Sequence, residues 1–159
     1  MIAGVQVLPL ARHADGRGWF IEVARQGRLP SPSVQTNVSF SRQGVIRGLH
    51  YHERGQCDLF ACLAGMVRVV VLDRQTDEVF SVDIGDDNRA AVWVPGHHAH
   101  GFQALRDALV CYHVTREYDP ADPDERGLAW DDPRVKHVWS AMAPILSDRD
   151  AAEAERAAP

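Results

Sequence analysis

The chain has 159 residues, 45% hydrophobic and 25% charged, which reads as one domain with enough length to bury a substantial core. A formal charge of −5 argues against a nucleic-acid partner, and no apolar run approaches the ~20 residues of a membrane span. Cys57, Cys62 and Cys111 match no zinc-knuckle spacing and read as reduced thiols of a cytoplasmic protein.

The N-terminal stretch lacks a basic region and soon reaches Arg12 and Asp15, so residues 5–10 read as a first strand rather than a signal peptide. A turn is expected at 15–18 and a strand at 19–23. Alternation predicts strands at 35–41 and 45–52. Residues 59–63 and 66–72 flank Gly65 as a hairpin or bulge. Further strands are expected at 79–84, 91–94, 102–105 and 108–115. Residues 119–124 hold two prolines and three aspartates and read as a loop, whereas only 148–158 has strong helix composition. Many short strands punctuated by Gly, Pro and Asp predict an all-β jelly-roll barrel, a single domain over 1–159 with a short C-terminal helix.

Histidines carry the densest chemistry. His50 and His52 are two apart in one expected strand, so both face the same side of the sheet. His97, His98 and His100 follow a strand and a Pro-Gly turn. From Gly44 to Gly65 the order Gly, His50, His52, Asp58, Gly resembles the first metal motif of the cupin superfamily, with aspartate as the carboxylate. Residues 95–100 resemble the second motif, one residue short. If a divalent metal is bound, His50, His52, Asp58 and His100 are its expected ligands. The simpler alternative is strand histidines that need no metal.

Seven ordered segments span positions 15 to 150. They are Asp15-x-Arg17-Gly-x-Phe20-x-Glu22, Gln35-x-Asn37-x-Ser39, Gly44-Val45-x-Arg47-Gly48-Leu49-His50, Ala99-His100-Gly101-Phe102, Tyr112 with Tyr118-Asp-Pro120, Trp130-x-Asp132-Pro133, and Leu146-Ser-x-Arg149-Asp150. Together they resemble the dTDP-4-dehydrorhamnose 3,5-epimerase family, a cupin-type group of isomerases acting on nucleotide-linked keto-sugars in deoxysugar biosynthesis.

The resemblance implies proton abstraction α to a ketone and reprotonation from the opposite face. It makes His50 the base, Asp150 its orienting carboxylate and Tyr112 the acid. It assigns substrate contacts to Gln35, Asn37, Arg47, Asp58, His100, Tyr118 and Arg149. Arg17, Phe20 and Glu22 match positions that reach a neighbouring subunit's site, implying a homodimer with exchanged N-terminal strands. Two departures stand out: Asp58 occupies a position where the family has lysine, and His52 one where it has a small or amide residue. The chain also ends soon after Asp150, without the family's C-terminal extension. No cofactor is expected on this reading, because His50 as a metal ligand could not also be a free base. A metal-dependent cupin enzyme of another class and a non-catalytic homologue are the alternatives.

Overall fold

The computed structural model describes residues 2–157. Its first strands are β1 (Gln6–Pro9), β2 (Arg12–Asp15), β3 (Gly18–Ile21), β4 (Gln35–Ser41) and β5 (Ile46–His52). The middle of the chain forms β6 (Cys57–Ala64), β7 (Met66–Leu72), β8 (Val79–Gly85) and β9 (Ala90–Pro95). β10 (Ala99–Ala104), β11 (Ala108–Val114), β12 (Glu125–Gly127) and helix α1 (Asp148–Ala157) complete it. Two five-stranded sheets, ordered β1-β9-β6-β11-β4 and β12-β5-β10-β7-β8, form the jelly roll, and β2 and β3 make a separate hairpin.

The central core lies between the two sheets. Val67, Val69 and Val71 of β7 point into it at spacing two and meet Phe60, Val92, Val94 and Val110 from the opposite sheet. Val70 and Leu72 point the other way, where Val135 and Trp139 of the C-terminal segment cover them. Both faces of β7 are therefore buried, which accounts for its nearly continuous apolar run. On the outside of the first sheet, Leu59, Ala61, Ala91 and Trp93 pack with Leu8, Leu10 and Leu29.

Most expected strands are present, but their ends differ where polar residues are buried. β6 starts at Cys57 and β10 at Ala99, earlier than the apolar pattern indicates, so Asp58 and His100 lie within strands. β2 and β12 escape pattern reading: RHAD is exposed throughout, and ERG carries no hydrophobic residue. The three cysteines are unpaired, as expected. No helix among the described residues is long and apolar enough to cross a membrane.

One close crossing shapes the site. Gly48, at φ +128°, lies against Gly101, where an added Cβ would come within 2.8 Å of the Gly101 Cα. The pairing of β5 with β10 shifts register between His100 and Phe102 at this point. In a regular strand Arg47 and His50, three apart, would face opposite sides. With the irregularity between them, both line the same cavity.

Candidate active site

The cleft opens between the sheets at the polar end of the core. Its inner part, about 250 Å³, is bounded by Phe60 and Phe102, which also belong to the core. Its outer part, about 440 Å³, shares His52, Gln56, Tyr112, Val114 and Glu125 with the inner one, so the two form one continuous depression.

The expected base and its carboxylate meet. The His50 Nε2 lies 2.9 Å from Asp150 Oδ1. A carboxylate only accepts, so Nε2–H donates, and Nδ1 is the nitrogen on which the neutral ring carries its lone pair. That free nitrogen is 3.7 Å from Glu125 Oε2, beyond hydrogen-bond reach. Asp150 arrives from a sequence position one hundred residues away, and the start of α1 explains how it is held. Ser147 Oγ accepts the Asp150 backbone N–H at 3.1 Å and donates its own proton to Asp150 Oδ2 at 2.9 Å. This is an N-cap serine paired with an acidic residue three positions on. Burial pushes the Asp150 carboxyl upward, but the His50 hydrogen bond and charge, the Ser147 hydroxyl and Arg149 outweigh it, leaving it below its ordinary value.

Tyr112 stands on β11, in the sheet opposite β5, and packs against the Phe60 ring at 6.0 Å. Burial raises its phenol above the usual value; Asp58 and Glu125 add to the rise and Arg47 opposes it. The phenol is thus protonated at neutral pH and can donate. Arg47 is held by neutral acceptors, Ser41 Oγ at 3.0 Å and Phe40 O at 3.3 Å, so its charge remains available to the cavity. Arg149 binds Glu125 on the wall of the inner part.

The four-residue metal set is not assembled as expected. His52, Asp58 and His100 converge, but His50 is committed to Asp150 and stands outside the group. His100 Nδ1 is 2.9 Å from the His98 carbonyl and its Nε2 is 2.7 Å from Asp58 Oδ2. Both partners are acceptors, so both ring nitrogens donate and His100 is an imidazolium. Burial opposes that charge, but the hydrogen bond to Asp58 and its charge prevail, and the His100 pKa is raised. Burial likewise opposes the Asp58 carboxylate, and the bonds to His100 and His52 hold it well below the ordinary range.

In the outer cleft Gln35 donates to Asn37 Oδ1 at 2.9 Å and accepts the Tyr118 backbone N–H at 2.8 Å, placing all three together. Arg17, Phe20 and Glu22 are not brought to the cleft of their own chain. Arg17 pairs with Asp15, Glu22 pairs with Arg25, and Phe20 is exposed on the hairpin. His98 is buried and binds the Ala3 carbonyl at 2.9 Å, a structural role. Two site residues escaped the sequence reading. Glu125 sits opposite His52 through the β12–β5 pairing, and Gln56 donates to Asp58 Oδ1 at 2.9 Å. Gln56 lies two positions before the strand carboxylate, a spacing that puts both on one face.

Comparison with known proteins agrees with this architecture. A profile of the dTDP-4-dehydrorhamnose 3,5-epimerase family matches residues 1–157. The spore coat polysaccharide biosynthesis protein SpsL of Bacillus subtilis is 35% identical over 148 residues, covering 88% of this chain and 97% of that protein. The dTDP-4-dehydrorhamnose 3,5-epimerase of Sinorhizobium fredii is 34% identical over 167 residues, covering 96% and 85%. Among solved structures, dTDP-6-deoxy-D-glucose-3,5-epimerase RmlC from Legionella pneumophila, in complex with dTDP-4-keto-L-rhamnose, aligns with TM-score 0.85 at 30% identity over 96% of this chain and 87% of that one. The likeness runs through the fold and nearly the full length of the sequence, and the chain belongs to the dTDP-4-dehydrorhamnose 3,5-epimerase family.

Proposed function

We propose that the protein is an isomerase that epimerises a dTDP-linked 4-keto-6-deoxy sugar. The observation that carries this reading is the His50–Asp150 dyad on one sheet side of the cavity with Tyr112 on the other. A sugar ring lying between the two sheets presents one face to each. His50 Nδ1 takes the proton beside the ketone, and Asp150 stabilises the imidazolium that forms. The Tyr112 phenol returns a proton to the opposite face. Arg47 offers a fixed positive charge to the anionic parts of the substrate. Gln35, Asn37 and Tyr118 line the outer cleft, where the nucleotide end would rest, and Arg149 lines the inner wall. This proton relay requires no cofactor.

The site is completed by a second chain in this reading. The β2–β3 hairpin pairs only with itself, and Trp19 and Phe20 are 45% and 64% exposed. β1 pairs with β9 of its own chain, and the hairpin projects beyond the two sheets as the exposed part of the N-terminal strands offered for exchange. In a homodimer Arg17, Phe20 and Glu22 would meet the partner's cleft. Phe20→Ala should then raise KM about tenfold, the value of one aromatic stacking contact on a base. An unchanged KM would remove the hairpin from the site.

The central test is incubation with a dTDP-4-keto-6-deoxyhexose in D2O. Deuterium should enter a carbon flanking the ketone. Tyr112→Phe should keep exchange at one carbon but lose completed inversion by about 10²-fold or more. Wild-type protein that exchanges no α-proton would refute the function, and inversion unimpaired in Tyr112→Phe would refute the acid.

A further inference from the structure

Beyond the His50–Asp150 dyad, the cleft holds a second group of buried ionisable side chains that the proton relay does not use. His52 and His100 extend from β5 and β10 of one sheet, and Asp58 from β6 of the other. All three are buried. Their nitrogens aim at the same oxygen: Asp58 Oδ2 is 2.7 Å from His100 Nε2 and 3.4 Å from His52 Nε2. One ligand atom from each lies within 4.8 Å of the others.

We propose that His52 Nε2, His100 Nε2 and the Asp58 carboxylate bind one divalent first-row transition-metal ion, with the Gln56 side-chain oxygen as a fourth ligand. Size supports this first. Metal bonds of about 2.0–2.2 Å at tetrahedral or octahedral angles put neighbouring ligand atoms about 2.8–3.6 Å apart. The observed 2.7 and 3.4 Å are close to that edge length. The present contacts hold together through a proton on His100, and a cation in its place displaces that proton.

The surroundings support it second. The His100 Nδ1–H is fixed on the His98 carbonyl, which aims Nε2 inward as an outer partner does for a metal-bound histidine. The buried His52 Nδ1 has no hydrogen-bond partner among the described residues, and neither has Asp124 Oδ2, 3.9 Å away. Two unpaired buried groups facing each other are costly, and a small closure joins them as a carboxylate–histidine pair. The Gln56 amide nitrogen stands 3.2 Å from His52 Nε2 and 2.9 Å from Asp58 Oδ1. Amide nitrogen and oxygen exchange places by a half-turn. The turned amide would face two acceptors, an arrangement that only a cation makes favourable.

Two imidazoles and a carboxylate select Zn, Mn, Fe, Co or Ni over Mg or Ca. The set leaves His50 free on Asp150, so metal and base coexist in one cavity. There the cation would act as a Lewis acid on the ketone oxygen, stabilising the enolate. That role rests on the proposed epimerisation; the binding does not.

The test uses untagged, chelator-stripped full-length protein titrated with Zn²⁺ by calorimetry and with Co²⁺ by visible absorption. One equivalent should bind, raise the melting temperature and be reversed by chelator. Asp58→Asn and His52→Gln should each weaken binding at least tenfold, roughly the loss known for outer-shell changes alone. His50→Gln should bind as wild type does. Circular dichroism checks each variant's fold; should Asp58→Asn fail to fold, the wild-type titration and His52→Gln decide. Wild-type protein that takes up no metal, or affinity unchanged in folded His52→Gln, overturns the site. Metal uptake without α-proton exchange would overturn the epimerase reading and leave the site standing.

Discussion

His50–Asp150 and His100–Asp58 are the same chemical pair, an imidazole on a carboxylate, at 2.9 and 2.7 Å in one cleft. Their surroundings differ. The His50 side chain is 22% exposed and has one nitrogen free, whereas His100 is 3% exposed and has both nitrogens engaged. Asp150 comes from the first turn of a terminal helix, and Asp58 from the interior of a sheet. A base must meet substrate and exchange its proton with each turnover, which the first pair allows. The second pair keeps its proton between two buried partners. Sequence identity of the pair therefore says little about its job; the unoccupied nitrogen decides it.

The largest effect should come from His50→Ala. Removing the free nitrogen should cost about 10²–10⁴-fold in α-proton exchange. Near-normal exchange, measured by mass spectrometry in D2O, would break the contrast by showing another base. Asp58→Asn in metal-free protein should act the other way, on stability. Removing one partner of a buried ion pair costs about 3 kcal/mol or more. For a domain of this size that lowers the melting temperature by about 6–12 °C, readable by calorimetry. An unshifted transition would mean the pair is not a buried ion pair. The smallest effect belongs to Ser147→Ala, which removes the cap and the hydroxyl that orients Asp150. A loss of about 1 kcal/mol is expected, with a measurable fall in kcat and little change in KM. A change in KM alone would detach Ser147 from the dyad.

Much of this contrast was legible in the residues. The family segments gave His50, Tyr112 and Asp150, and strand parity put His50 and His52 on one side. Parity assigns a face, however, and not a partner. It could not show that His50 turns to Asp150 while His52 turns to Asp58, because that depends on the Gly48–Gly101 crossing and on the pairing with β12. Glu125 was hidden because ERG has no apolar periodicity and is a strand only through its bonds to β5. Asp58 and His100 blurred two strand starts, since buried polar residues interrupt the pattern that reveals strands. The Ser147-x-x-Asp150 cap is the local reason that a residue one hundred positions from His50 arrives in the right place.

The terminal helix has a consequence for heat. Asp150 is the one buried residue of α1 among those described, so little apolar burial ties the helix to the barrel. Segments with little burial open with small free energies, well before the whole fold gives way. Each opening takes the carboxylate from His50 while both sheets stay intact. Warming should thus dim the enzyme reversibly, in a range where the signature of the two sheets still reads native.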